Sequence, residues 1–142
     1  MRRKKKMQRE IKFRYVFKNE DGEIIIGILT IQEIEDGWAQ EFIESKEVYG
    51  FKLISRDEFT GLPDKNSVEI YEGDIIPVYE KGQEYKYKVI YDGDCFMLSM
   101  LDSKQGSYPL SVKNRISEVI GNIHTNDGKG EETCKNSSSK ED

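Results

Sequence analysis

Nucleophilic catalysis needs a hydroxyl or thiol beside a base, and histidine is the commonest such base. The 142-residue chain has one histidine, His124, and two cysteines, Cys95 and Cys134. A single histidine at the end of a terminal strand, next to a polar tail, reads as a surface residue. Cys95 adjoins the Asp92-Gly93 turn and becomes a thiolate only beside a cation; its place in a hairpin reads as a small buried or half-buried residue. Cys134 falls in the polar tail as an incidental thiol. No Cys/His spacing suits zinc. Asp92 and Asp94, and likewise Glu72-Gly73-Asp74, offer oxygen atoms at a glycine turn, the geometry of a weak divalent-ion site. Turn formation accounts for these acids without an ion. Gly61, Gly73, Gly82 and Gly93 stand singly, with neither GxxxxGK[ST] nor GxGxxG around them. The expectation is a chain with no catalytic, metal or cofactor residues, not an enzyme, with an enzyme of unrecognised type as the minority alternative.

Binding is the better-supported chemistry. Tyr85-Lys-Tyr-Lys88 and Lys12-Phe-Arg-Tyr15 interleave rings with cations, as nucleic-acid surfaces do. Alternation along a strand, however, sends rings and cations to opposite faces. The rings are then core, and what remains is a basic face of Lys12, Arg14, Lys86 and Lys88. Such a face would grip few phosphates and lose affinity quickly with salt. A protein is therefore the preferred partner, with weak nucleic-acid binding through this face and the N-terminal arm as the alternative.

Charge is distributed unevenly. The chain carries 22 Lys plus Arg against 27 Asp plus Glu, a net charge of −5. Residues 1–9 hold six of the basic groups and no acid, which leaves 16 basic against 27 acidic groups over the remainder. The segment 126–142 has no aromatic residue and cannot offset its ordering entropy, so a disordered tail is expected there. Residues 1–8 read as a basic, disordered leader, and Met7 is an alternative start that would remove most of its charge. No apolar run approaches the roughly 20 residues of a membrane span. The basic start lacks the apolar stretch of a secretory signal, and two cysteines make no disulfide framework. A cytosolic setting follows as the expectation.

The elements that would position these residues are mostly strands. Ile11, Phe13, Tyr15 and Phe17 alternate with Lys12 and Arg14, the period of a half-buried strand. The turn Asn19–Gly22 and the apolar run 23–28 complete a hairpin. Thr30 and Glu33 form a capping box that opens a short helix, closed by Gly37. Residues 38–45 fit either a helical face or an irregular loop, and residues 48–55 read as a strand. Phe59–Asn66 is dense in turn formers. After Val68–Tyr71 and a turn at Glu72-Gly73 comes a strand over Asp74–Tyr79, where Pro77 demands an edge or a bulge. This edge is also a route to self-association. The runs 84–91 and 94–101 form a hairpin about Asp-Gly. A two-residue loop at Asp92-Gly93 pairs Val89 with Phe96; a loop at Gly93-Asp94 pairs Val89 with Leu98. Either register puts Tyr85, Tyr87 and Val89 on the core face with Phe96, Leu98 and Met100, and leaves Lys86, Lys88, Met97 and Ser99 on a wet one. Leu110–Val112 reads as a short extended piece and Ser117–His124 as the last strand.

The stretch Phe59-Thr-Gly-Leu-Pro-Asp-Lys-Asn66, followed by Glu69-Ile-Tyr-Glu-Gly-Asp-Ile75, resembles the signature of the YopX family of phage and prophage proteins. That signature reads YTGLKDKNGKEIYEGDIV. Arg9–Arg14 resembles the family's opening and Glu118–Ile123 its close, and the hairpin about Asp92-Gly93 falls where the family has one. The likeness runs in order from about residue 9 to 125. Tyr15-Val-Phe17 replaces the family's frequent Ala-Trp-Asp, and Ser67-Val68 stands where Gly-Lys is common. The resemblance implies a phage or prophage source, a start near Met7, an accessory role in the bacterial host cytoplasm, and structural duty at Thr60, Gly61, Leu62, Asp64, Gly73 and Asp74. It implies no particular activity.

The fold expected is mainly β: a small curled sheet or partly open SH3-like barrel, with an N-terminal hairpin and one or two short helices, forming one domain over residues 9–125.

Overall fold

A computed structural model describes residues 10–102 and 106–125. The expected basic leader and polar tail, with Cys134, lie outside the described residues. The chain is mainly β, with strands β1 (Lys12–Lys18), β2 (Ile24–Thr30), β3 (Lys52–Pro63), β4 (Glu69–Tyr71), β5 (Asp74–Glu80), β6 (Gln83–Asp92), β7 (Cys95–Met100), β8 (Tyr108–Pro109) and β9 (Gly121–Asn122). Three short helices accompany them: α1 (Ile31–Glu35), α2 (Trp38–Glu47) and α3 (Leu110–Lys113). All strand pairings shown are antiparallel, and neither sheet closes into a barrel. The mainly β class expected is the one adopted, in two antiparallel sheets. The described residues divide into two compact units, the first up to Gly61 and the second from Leu62.

In the first unit β1 lies between β2 and β3, with Tyr15 opposite Gly27 on one side and Arg56 on the other. Its core is Tyr15, Phe17 and Leu29, covered by Ile34, Ala39, Phe42 and Ile43 of the helices. Both capping-box bonds form: Glu33 N–H donates to Thr30 Oγ1 at 3.1 Å, and Thr30 N–H to Glu33 Oε1 at 2.9 Å. The ambiguous segment is helical because Ala39, Phe42 and Ile43 supply one apolar stripe for the sheet to bury. Phe42 meets Phe17 edge-on at 5.3 Å between centroids and lies directly over Gly27. A Cβ built at Gly27 would sit 2.1 Å from Phe42 Cζ, so only glycine admits the ring there.

β3 departs from expectation. It starts at Lys52, later than predicted, and continues through Phe59–Pro63 despite the turn formers there, with Leu62 extended as a residue before proline should be. The glycine that signalled a turn, Gly61, keeps a positive φ of 86° inside the strand. The true turn is Asp64–Ser67.

In the second unit the order is β8-β7-β6-β5-β9. Its core gathers Ile70, Ile76, Val78, Tyr87, Val89, Leu98 and Leu110. The β6–β7 hairpin adopts the Gly93-Asp94 loop, with Val89 opposite Leu98 and Asp92 opposite Cys95. Tyr87 is buried and Tyr85 half-buried against the core, as alternation requires. The opposite face is drier than expected: Ser99 is fully buried and Met97 is half-buried against Gly106. Pro77 is where the geometry allows it. Only Asp74 and Ile75 pair with β9, so beyond them β5 is an edge, and the ring nitrogen of Pro77 takes the outward place of an N–H.

Two expectations near the C-terminus are corrected. Leu110–Lys113 is a helical turn instead of an extended piece, with Leu110 driven into the core. The last strand shortens to Gly121–Asn122, because neighbouring backbone groups are pinned outside any ladder: Lys65 N–H donates to Ser117 O at 2.9 Å.

Candidate functional site

The four residues of the predicted basic face are spread over both units, and each is engaged. In β1, Lys12 packs its ammonium 4.8 Å above the Phe59 ring and 3.3 Å from Glu10. Arg14 is only 7% exposed and donates from Nε and Nη2 to Asp57 Oδ2 at 2.9 and 2.7 Å. Ser55 Oγ donates to the other oxygen of Asp57. Arg14 was expected on an exposed face; the structure corrects this, because both faces of β1 are buried from Arg14 to Phe17. A buried guanidinium is held by its carboxylate and is not offered to phosphate. In β6, Lys86 lies 3.8 Å from Glu84, and Lys88 donates to Leu101 O at 3.1 Å.

The signature residues all sit in the framework. Thr60 is buried, and Leu62 packs on the second core. Asp64 is 4% exposed, and its carboxylate accepts three backbone N–H groups: Asn66 at 2.7 Å, Val68 at 3.0 Å and Val119 at 2.9 Å. Burial alone would raise this carboxyl, but the donors from Val119, Val68 and Asn66, together with the Lys65 charge, outweigh it and hold it below the ordinary 3.8. Gly73 takes a φ of 91° and donates to Val89 O, while Asp74 accepts the Tyr71 N–H at 2.8 Å.

The residues considered for catalysis stay apart. His124 is half-buried near β9, and its N–H donates to Asn122 Oδ1. Cys95 was read as buried or half-buried; it is exposed, because the Gly93-Asp94 loop puts it at the hairpin tip. Asp92 accepts the Gly106 N–H at 2.9 Å. Among the described residues no group of three His, Cys, Asp or Glu side chains could hold a metal ion.

What sequence reasoning missed is a cleft of about 1060 Å³ within the first unit. The β1–β2 turn (Lys18–Asp21), the end of α2 (Ile43, Glu47) and the chain from Tyr49 to Ile54 line it. Half-buried Ile43, Phe51 and Leu53 make an apolar floor, and Tyr49 and Ile54, 78% and 46% exposed, stand open to solvent beside it. Lys18, Glu20, Asp21, Glu47 and Lys52 are all exposed around it, so its charges form a mixed rim. A signal was available: Val48-Tyr49-Gly50 puts two large apolar residues just before a glycine that ends a helix, here with φ 87°.

An antiparallel β-protein with a short helical cover over its first sheet is, by architecture, a small two-unit β framework. The model of the YopX family, described as YopX protein, matches residues 3–128, and the chain belongs to that family. Among solved structures it is similar to protein EF1440 from Enterococcus faecalis, with 24% identity over 80% of this chain and 72% of that one, at a TM-score of 0.37. No curated protein matches it. Among the described residues no helix is long and apolar enough to cross a membrane.

Proposed function

We propose that the chain is a non-enzymatic binding module, encoded by a phage or prophage and acting in the host cytoplasm, that takes a segment of a host or phage protein into the cleft of its first unit. The observation that carries this reading is the composition of the cleft. A small-molecule site converges a few polar groups on an enclosed ligand. Here the charged side chains stay on an exposed rim around an apolar floor, the pattern of a protein interface. Tyr49 is an exposed aromatic of the kind that anchors such contacts.

The test is selection of peptides from a random display library on the full chain, followed by titration against Tyr49→Ala and Ile54→Glu. Both positions are exposed, so the fold should survive, and circular dichroism checks it. Selected peptides should bind at least tenfold more weakly to the variants, or about 1.4 kcal/mol. Equal affinity for wild type and variants removes the cleft from the reading. DNA or RNA binding that persists from low to moderate salt would replace the protein partner by nucleic acid.

A further inference from the structure

The borders of the two sheets are not equally protected. Sheets generally blunt their edges with proline, charge or short strands, because an open row of N–H and C=O groups recruits another strand. In the second unit β5 carries Pro77 and ends at Glu80, and β8 is two residues long and contains Pro109. β2 has none of these devices. It is a seven-residue edge strand, IIIGILT, without charge or proline. Among the described residues its ladder bonds go to β1 alone. Ile26 and Ile28 on this edge are 46% and 43% exposed.

Backbone direction fixes which groups are on offer. Ile31 N–H donates to Ile11 O, and Asn19 N–H to Glu23 O, so the odd-numbered residues of β2 face β1. Ile24, Ile26 and Ile28 therefore turn their N–H and C=O groups outward; Thr30, the N-cap of α1, has its N–H on Glu33 Oε1 and its C=O in the first turn of the helix.

We propose that β2 pairs antiparallel with β2 of a second copy, about a two-fold axis at Gly27. In that register Ile26 meets Ile28 of the partner, with outward-facing N–H and C=O groups on both, and Ile24 meets Thr30 at either end. About four hydrogen bonds form, two in each Ile26–Ile28 pair. Ile25 falls opposite Leu29, and Glu23 opposite Ile31, so no like charges meet. The strand is complementary to itself, which favours a second copy over an unrelated segment. Gly27 faces its own mate without a side chain, at the closest Cα approach of the ladder. A strand pair about 24 Å long lies at the small end of specific interfaces. The dimer is accordingly dissociable and concentration-dependent. Each copy carries a net charge of −5, so added salt strengthens this pairing, whereas binding of an oppositely charged partner would weaken.

Sedimentation equilibrium of the full chain, from micromolar to millimolar concentration at two salt levels, is the first measurement. A monomer–dimer equilibrium that tightens with salt is expected; a monomer throughout overturns the proposal. Ile26→Lys/Ile28→Lys puts lysine opposite lysine and should weaken association at least tenfold, with dichroism confirming the fold. Undiminished association in a folded variant places the contact elsewhere and overturns the proposal. Should that variant not fold, register-specific crosslinking decides. In a Cys95→Ser/Cys134→Ser background, Ile26→Cys mixed with Ile28→Cys should give more oxidised dimer than either alone. Equal yields overturn the register. The outcome is independent of the cleft, since no variant here alters a residue lining it.

Discussion

Asp64→Ala removes a carboxylate on which three backbone donors converge, two from its own turn and one from Val119, 55 residues away. The size of the loss can be worked from the surroundings of each donor. Asn66 and Val68 are exposed, so water replaces the carboxylate there at a cost of about 0.5–1.5 kcal/mol each. Val119 is half-buried against the second core, and its orphaned N–H costs about 1–3 kcal/mol. The total centres near 4 kcal/mol, a large part of the roughly 5–15 kcal/mol that holds a domain folded. Urea denaturation should show this as a lower midpoint with an unchanged slope, and thermal melting as a Tm about 8–16 °C lower. Asp64→Asn adds a second, sharper readout. The folded carboxyl lies below its ordinary value, so the stability it contributes is complete above about pH 4 and drains away as pH falls through the folded value. The asparagine variant has no such proton to take up. It should be less stable than wild type at pH 7 and lose less on acidification. A loss under about 0.5 kcal/mol for the alanine variant, or parallel acid profiles for wild type and asparagine, would refute the reasoning.

Two further outcomes rest on the first unit. Asp57→Ala removes the carboxylate paired with the buried Arg14 guanidinium and should cost about 3–5 kcal/mol, whereas Arg14→Met/Asp57→Leu should recover most of that loss in urea titrations. Gly27→Ala forces a methyl against Phe42 and should cost about 1–3 kcal/mol. Adding Phe42→Leu should return part of it, read as coupling in a double-mutant cycle.

Where local rules suffice, the sequence and the structure agree. The capping box at Thr30–Glu33 and the existence of hairpins at Asn19–Gly22 and around Gly93 are set by residues a few positions apart, though these leave the choice of loop at the second open. What escaped depends on distant partners. Alternation correctly put Arg14 opposite the rings of β1, but not that its face would be buried beside Asp57, 43 residues on. The turn formers in Phe59–Pro63 masked a strand, within which Gly61 holds a positive φ. Leu110–Lys113 is too short to display a helical period. The cleft is built from three segments that meet only on folding, so its single sequence trace was the apolar pair before Gly50.

The two hydrophobic clusters occupy consecutive stretches of chain: the first draws on residues 13–53, the second on 62–119. During synthesis, which runs at about 5–20 residues per second, every member of the first cluster emerges before any member of the second. The N-terminal layer can thus settle while the rest is still on the ribosome, and its brief nascent window is when the bare isoleucine ribbon is most at risk from neighbouring polysomes.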